Sequence, residues 1–326
     1  MIEMWDDLFS SLNPAIGTAL DDGEGREAFA LMHEELNKTW DEIARVLVEG
    51  GIACINIGDA TRTVADSFRV YQNHAHITEY FDNMGFEPLP DILWRKPTNS
   101  AAKFMGSGMI PPNAYATLEH EYLLIFRNGK NSRDFRSGTD VRYESAYFWE
   151  ERNEWFSDVW EDITGTLQQL EHADKELRDR SAAYPLAVPY RLINMFSVYG
   201  DTVLDPFWGT GTTSLAAMIA GRHSVGYEIQ ETFTDIFDAE VSEIRELAFS
   251  TVSKRITRHE EFVEQRLEDG KEFKYEAENY DFPVTTKQEK SLQLYTIDRV
   301  EQTESEYTVT YSPYDHADSV VAGVDE

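Results

Sequence analysis

The order of apolar runs predicts an α/β fold with a mostly parallel sheet, helices on both faces and a small C-terminal β-hairpin. Three observations carry this reading. Short buried-strand runs recur at residues 52–57, 92–94, 122–126, 202–204 and 223–227. Segments of helical apolar spacing lie between them, such as Phe29, Met32, Leu36, Trp40, Ile43 and Leu47. Near the end, residues 292–297 and 307–311 alternate in the manner of paired strands.

Taken in order, residues 26–49 predict an amphipathic helix ended by Gly50-Gly51, and the strand 52–57 closes on Gly58-Asp59. Residues 67–84 predict a second helix, 92–94 a short strand, and 97–113 a Gly/Pro-rich loop. The strand 122–126 stops at Asn128-Gly129. Residues 130–180 are polar and carry Phe148, Trp149, Trp155, Phe156 and Trp160. Helical spacing of Phe148, Trp149, Phe156 and Trp160 suits either inward packing or contact with a ligand. After the strand 202–204 come a glycine loop, a helix over 213–220, the strand 223–227 and a long acidic helix to about 269. There are no internal repeats.

Composition bounds the function. A hydrophobic fraction of 41% in 326 residues supplies a sizeable core and excludes wholesale disorder. The single cysteine, Cys54, excludes a disulfide framework and a multi-cysteine zinc site. No apolar run is long enough for a membrane helix and no basic-then-apolar leader opens the chain, so the expected setting is cytoplasmic. Sixty acids against 29 bases give a net charge of −31. Such an excess keeps a surface hydrated in concentrated salt and points to a halophile. Against it, residues 94–142 hold eight bases and four acids, a basic island suited to a polyanion.

The sharpest local signal is Val203-Leu204-Asp205-Pro206-Phe207-Trp208-Gly209-Thr210-Gly211-Thr212-Thr213. A strand runs into a two-glycine loop and then opens a helix, the place where backbone amides approach a ligand. Glu228 ends the following strand, where a carboxylate can accept both hydroxyls of a ribose. The third glycine of a dinucleotide fingerprint is missing, with Thr213 and Ser214 in its place, and no Gly-Lys-Ser/Thr follows. By itself the pattern suits many nucleotide folds, a nicotinamide-dependent oxidoreductase among them.

This segment resembles the D-P-F-x-G-x-G-T-T motif of the S-adenosylmethionine-dependent DNA amino-methyltransferases, which methylate cytosine N4 or adenine N6. The resemblance implies a Rossmann-like methyltransferase fold, with S-adenosylmethionine as cofactor and duplex DNA as substrate. It implies a cofactor site of Asp205, Phe207, Gly209, Gly211, Thr212 and Glu228. Upstream, Arg180-Ser181-Ala182-Ala183-Tyr184-Pro185 is similar to the family's H-P-A-x-F-P segment; Arg180 and Ser181 depart from it, leaving Ala182, Tyr184 and Pro185 as cofactor-binding residues. Trp94-Arg95-Lys96-Pro97 and Glu119-His120-Glu121-Tyr122 through Arg127 resemble later blocks of the catalytic half. Their position before the cofactor loop implies the circularly permuted motif order of the β class. Arg95, Lys96, Lys103, Arg127, Lys130 and Arg152 are the candidate DNA-binding residues. A restriction endonuclease is the partner such an enzyme implies, and a haloarchaeal source fits the charge.

Chemistry in this family uses a Ser/Asp-Pro-Pro-Tyr/Phe loop to hold the target amino group and stack the flipped base. The sequence has none: Pro111-Pro112 lies between Ile110 and Asn113. No catalytic residue is therefore assigned. The resemblance places Met1 just after such a loop and leaves a mid-sheet slot between the strand ending at Asp205 and the strand 52–57. The expectation is a natural product with more residues upstream, a catalytically dead DNA-binding remnant, or completion by a second polypeptide.

The expected organisation is a catalytic-side half over 1–130, a target-recognition region over 131–179, a cofactor-binding half over 180–250 and an acidic extension over 251–326. Cytosine N4 is the favoured target, with adenine N6 the alternative. No metal site is expected, since strand alternation puts Glu119 and Glu121 opposite His120. His74, His76 and Cys54 read as structural residues.

Overall fold

In a computed structural model the described residues are 2–96, 105–135, 139–163, 184–303 and 306–315. The expectations for Ala182 and Lys103 lie outside them. The chain divides into two compact units, residues 1–134 with 157–182, and residues 135–156 with 183–326. The segment 131–179 is shared between them.

The first unit opens with α1 (Ile2–Leu12), α2 (Pro14–Asp21) and α3 (Gly25–Val46). Asn13 caps α2 through its side chain, and Pro14 occupies the first turn, where its missing N–H is harmless. Gly50 takes φ +74°, and a Cβ there would lie 2.4 Å from the Arg133 backbone. Only glycine makes that turn into β1 (Ile52–Ile57). Next come β2 (Ala60–Val64), β3 (Ser67–Tyr71), α4 (Asn73–Asn83), β4 (Phe86–Pro88) and β5 (Ile92–Arg95). The remaining strands are β6 (Met105–Gly106), β7 (Ala114–Tyr115), β8 (His120–Asn128) and β9 (Val159–Trp160).

β8 is the spine of this unit's sheet, pairing antiparallel with β1, β4 and β5, while β5 pairs parallel with β9. The α/β class stands; the sheet is mixed rather than mostly parallel here. Trp40, Ile77, Phe81, Phe86, Leu124 and Phe126 pack α3 and α4 on it. Phe81 and Phe126 are fully buried and stack at 4.5 Å. Each such ring contributes roughly 2 kcal/mol by burial.

The predicted helix over 67–84 is corrected. It begins only at Asn73, because residues 60–71 form the β2–β3 hairpin. Its turn places Ala65 and Asp66 at positive φ without a glycine, so the usual turn signal is missing. Trp160 likewise sits on a strand, not on the helical face expected for the aromatic stretch.

The second unit holds α5 (Asp140–Glu144), α6 (Trp149–Trp155), α7 (Ala187–Phe196), β10 (Thr202–Asp205), α8 (Thr212–Ile219) and β11 (His223–Gly226). Helices α9 (Thr232–Ser242) and α10 (Ile244–Glu268) follow, then β12 (Tyr275–Glu276), β13 (Pro283–Val284) and the expected hairpin β14 (Tyr295–Thr303) with β15 (Glu306–Pro313). β10 and β11 run parallel. Leu215, Ala216, Ile219, Ile244 and Ala248 bury α8 against α10. Short α6 is fastened to α10 by Glu151, whose carboxylate takes two bonds from buried Arg255 at 2.6 and 2.8 Å. Glu150 meets His259 on the same helix.

Among the described residues β10 pairs only with β11, and β1 only with β8. One face of the β10–β11 ribbon leaves Leu204 and Val225 exposed. No described helix is long and apolar enough to cross a membrane.

Candidate functional site

The parallel register of β10 and β11 brings Asp205 beside Gly226 at the carboxyl ends of both strands. From there the chain folds back: Tyr227 N–H donates to Asp205 O at 3.0 Å, and Trp208 N–H donates to Tyr227 O at 3.1 Å. Two glycines shape the loop between. Gly209 has φ +54° with no crowding, so it is needed for conformation alone. Gly211 has φ +79°, and a Cβ on it would fall 2.3 Å from the Phe237 ring. Gly226 is required by contact, since a Cβ there would lie 2.0 Å from the Trp208 indole. The indole N–H donates to Ser214 Oγ at 2.7 Å.

Beneath the loop a hydroxyl relay fixes Asp205. Thr213 Oγ1 donates to Asp205 Oδ2 at 2.5 Å and meets Tyr184 Oη at 2.6 Å. Asp205 Oδ1 accepts the Phe207 N–H at 3.0 Å. Burial, with the nearby Asp205 charge adding to it, pushes the Tyr184 phenol above its usual range. Across the loop mouth, Glu228 Oε2 accepts Gly209 N–H at 2.9 Å, and Oε1 accepts Ile229 and Gln230 N–H at 2.8 and 3.0 Å. Three of roughly four lone-pair sites are filled. Oε2 keeps one for an incoming hydroxyl. Phe207, Tyr227 and Ile229 ring the mouth with exposed apolar surface.

The structure thus gathers Tyr184, Asp205, Phe207, Gly209, Gly211, Thr212 and Glu228 around one strand-to-helix turn, with Pro185 next in chain to Tyr184. Sequence reasoning missed Trp208, Thr213, Ser214 and Gly226 as parts of it. The Thr212-Thr213-Ser214 run was the available signal, because those hydroxyls stand where a dinucleotide fold needs a third glycine.

The candidate DNA contacts are distributed differently. In the first unit Arg95 pairs with Glu161 and Glu119, and Lys96 pairs with Glu121 at 2.6 Å above the Trp94 ring. Arg127 donates to the carbonyls of Gly129 and Lys130. Lys130 is exposed. Arg152, in the second unit, lies over Phe156 at 4.1 Å. Of the island's bases, Arg95 and Lys96 are therefore answered by the chain's own acids. His74, read as structural, meets the Asp59 carboxylate through Nδ1 at 2.8 Å and stacks on Tyr122 at 4.1 Å. Burial pushes the Cys54 thiol up to about 12, in keeping with a small core residue.

A glycine loop leading into a helix, with an acid closing the next strand, defines a methyltransferase-type α/β site. The chain belongs to the DNA methylase family: the family model of N6/N4 DNA methylases matches residues 15–239. It is similar to the Type II methyltransferase M.MthZI of Methanothermobacter thermautotrophicus, 50% identical over 313 residues, covering 94% of this chain and 86% of that one. M.MjaI of Methanocaldococcus jannaschii, another Type II methyltransferase, is 48% identical over 252 residues, 74% of this chain and 81% of its own. Among solved structures, a protein described as a DNA modification methylase from Thermus thermophilus, complexed with S-adenosyl-L-methionine, aligns with TM-score 0.55 and 29% identity. The alignment covers 67% of this chain and 79% of that one. The methyl donor of the family is S-adenosylmethionine. Membership displaces the oxidoreductase alternative.

Proposed function

We propose that the turn from Asp205 to Glu228 holds S-adenosylmethionine and that the chain directs its methyl group to the N4 amino group of cytosine in duplex DNA. The observation carrying this is the partly filled Glu228 carboxylate facing a backbone turn that only glycine can form. One hydroxyl of a vicinal diol can donate to the remaining lone pair, and the apolar rim of Phe207, Tyr227 and Ile229 suits a flat ring. When bound, the cofactor supplies an electrophilic methyl group. The chain's own residues orient and exclude water: Thr213 and Tyr184 keep Asp205 fixed, and Trp208 braces the loop against α8. Arg95, Lys96, Arg127, Lys130 and Arg152 serve the DNA backbone once their internal partners yield to phosphates.

The acceptor that would orient the amino nitrogen is absent from the sequence. We infer that this step calls for a Ser-Pro-Pro-Tyr type loop; among the described residues β10 pairs only with β11. Adenine N6 is the alternative target, and a DNA-binding remnant the alternative state. Calorimetry with S-adenosylmethionine tests the site first; no binding sinks it. Labelled methyl transfer to DNA, by the chain extended with a Ser-Pro-Pro-Tyr segment, tests the rest. Digested nucleosides should yield N4-methylcytosine; N6-methyladenine would assign the other base. No label with intact cofactor binding would favour the remnant.

A further inference from the structure

We propose that the tip of the β6–β7 hairpin is an apolar wedge that inserts between base pairs of the duplex; this rests on the DNA-methylase reading above. The tip runs Ser107-Gly108-Met109-Ile110-Pro111-Pro112-Asn113, and Met109 and Ile110 are 86% and 70% exposed. Folding alone gives no reason to present two large apolar side chains side by side at a turn. The turn is also held in shape. Ser107 N–H donates to Asn113 O at 2.9 Å, and Ser107 Oγ donates to Ile110 O. Gly106 and Gly108 take φ +66° and +65°, and a Cβ on Gly106 would meet Asn113 O at 2.0 Å. At its base, Tyr115 stacks on Phe68 of the β2–β3 hairpin at 5.1 Å and 8° between planes. Two hairpins thus brace one another.

Charge identifies the occupant. The chain carries 60 acids in 326 residues, yet the described residues 105–118, which form this hairpin and its flank, contain none. A polyanion can approach this stretch without meeting a carboxylate from it. The longer acid-free stretches elsewhere in the chain, 181–200 and 206–227, both belong to the cofactor half. Met, Ile and Pro are the side chains that unstack a base step, and an exposed, preformed tip needs little ordering before it enters. Insertion opens the stack beside a base that must leave it for methylation, lowering the cost of extrusion.

The double variant M109A/I110A tests this with the full chain and S-adenosylmethionine present. A nicked plasmid of mixed sequence is bound, sealed by ligase and read for linking number, while filter retention measures binding. Wild type should shift the linking number, and the variant should lose more than about two-thirds of that shift at equal occupancy. If binding falls together with the shift, M109L/I110V should restore both, since apolar bulk is what acts. A shift unchanged in M109A/I110A overturns the wedge, as does failure of M109L/I110V to rescue. Wild type that binds the plasmid without changing its linking number overturns the wedge alone; no plasmid binding at all overturns the DNA reading with it. A concentration-dependent dimer without DNA, abolished in M109A/I110A, would assign the tip to a second copy instead.

Discussion

Glu228 closes the loop and offers a ligand contact with one carboxylate. Its neutral isostere touches both tasks, because an amide NH2 in place of either oxygen faces a backbone N–H that now finds an acceptor. Glu228→Gln is expected to weaken S-adenosylmethionine binding by about 2 kcal/mol, read by titration calorimetry, and to lower the thermal midpoint as well. Equal affinity would show that the carboxylate is not a ligand contact. A second residue reports on the first unit. His33 is fully buried on α3, edge-on to Phe29 and 4.2 Å from the His76 ring. Its Nε2 faces Asn73 Oδ1 at 3.0 Å, and Asn73 is oriented by donating its amide to Gly58 O. The proton therefore sits on Nε2. Burial first, then the His76 charge, lower its pKa from 6.5 to about 4, against the Asn73 bond that raises it. Above pH 6.5 the folded and unfolded chains are both neutral there, and the full stability is present. Between pH 6.5 and 4 only the unfolded chain takes the proton, so stability falls, by roughly 3 kcal/mol in all. Denaturant melts across that window should flatten in His33→Gln; an unchanged slope in the variant refutes the assignment.

At the level of elements, the strand–loop–helix from β10 to α8 was legible because its constraints are local. Two glycines, a proline and a threonine pair within nine residues leave few other backbones. Gly211→Ala tests that constraint. The position is left-handed, and the new methyl would meet both Phe237 and Trp208, the latter at 2.8 Å. Strain and overpacking add, so the second unit should lose about 3 kcal/mol in denaturant melts, with cofactor binding lost alongside. A variant within about 0.5 kcal/mol of wild type would mean that the loop relaxes freely. What was not legible depends on distant partners or on unmarked turns. Nothing in Trp149–Trp155 announces that Glu151 will meet Arg255 far along the chain, so the aromatic stretch read as packing first and DNA contact second. Phe148 and Trp155 are buried, and the packing reading accounts for them. The β2–β3 hairpin was hidden by an Ala65-Asp66 turn with neither glycine nor asparagine, beside a genuine helix whose periodicity ran backwards into it. The ion pairs within the basic island were not legible either, since the pairing of β5 with β8 is what brings Arg95 within reach of Glu119 and Lys96 within reach of Glu121.

Over the whole molecule, charge is the property that sequence conveys and contacts do not. With 60 acids and 29 bases, most carboxylates have no cation to meet, so repulsion among them opposes the folded state. Added salt acts on two populations in opposite directions. It weakens exposed pairs such as Lys271–Asp269 and Arg45–Glu42, which contribute little to begin with, and it relieves the unpaired excess. The buried Arg255–Glu151 pair is shielded from both. Because acids outnumber bases about two to one, relief outweighs loss. The thermal midpoint is therefore expected to climb as potassium chloride rises from about 0.1 M to about 1 M, over which the screening length shrinks from about 10 Å to about 3 Å. Sodium chloride at the same ionic strength should give the same curve if screening is the cause. A midpoint that falls with salt would place the balance with the ion pairs and remove the argument for a salt-rich setting, and a rise seen with only one cation would replace screening by specific ion binding. DNA affinity depends on salt through the same charges. When Arg95 and Lys96 exchange Glu119 and Glu121 for phosphates, the freed carboxylates take up cations that offset the counterions leaving the DNA, so the loss of affinity with salt should be shallow and the apolar tip at Met109 and Ile110 should carry a larger share of the hold.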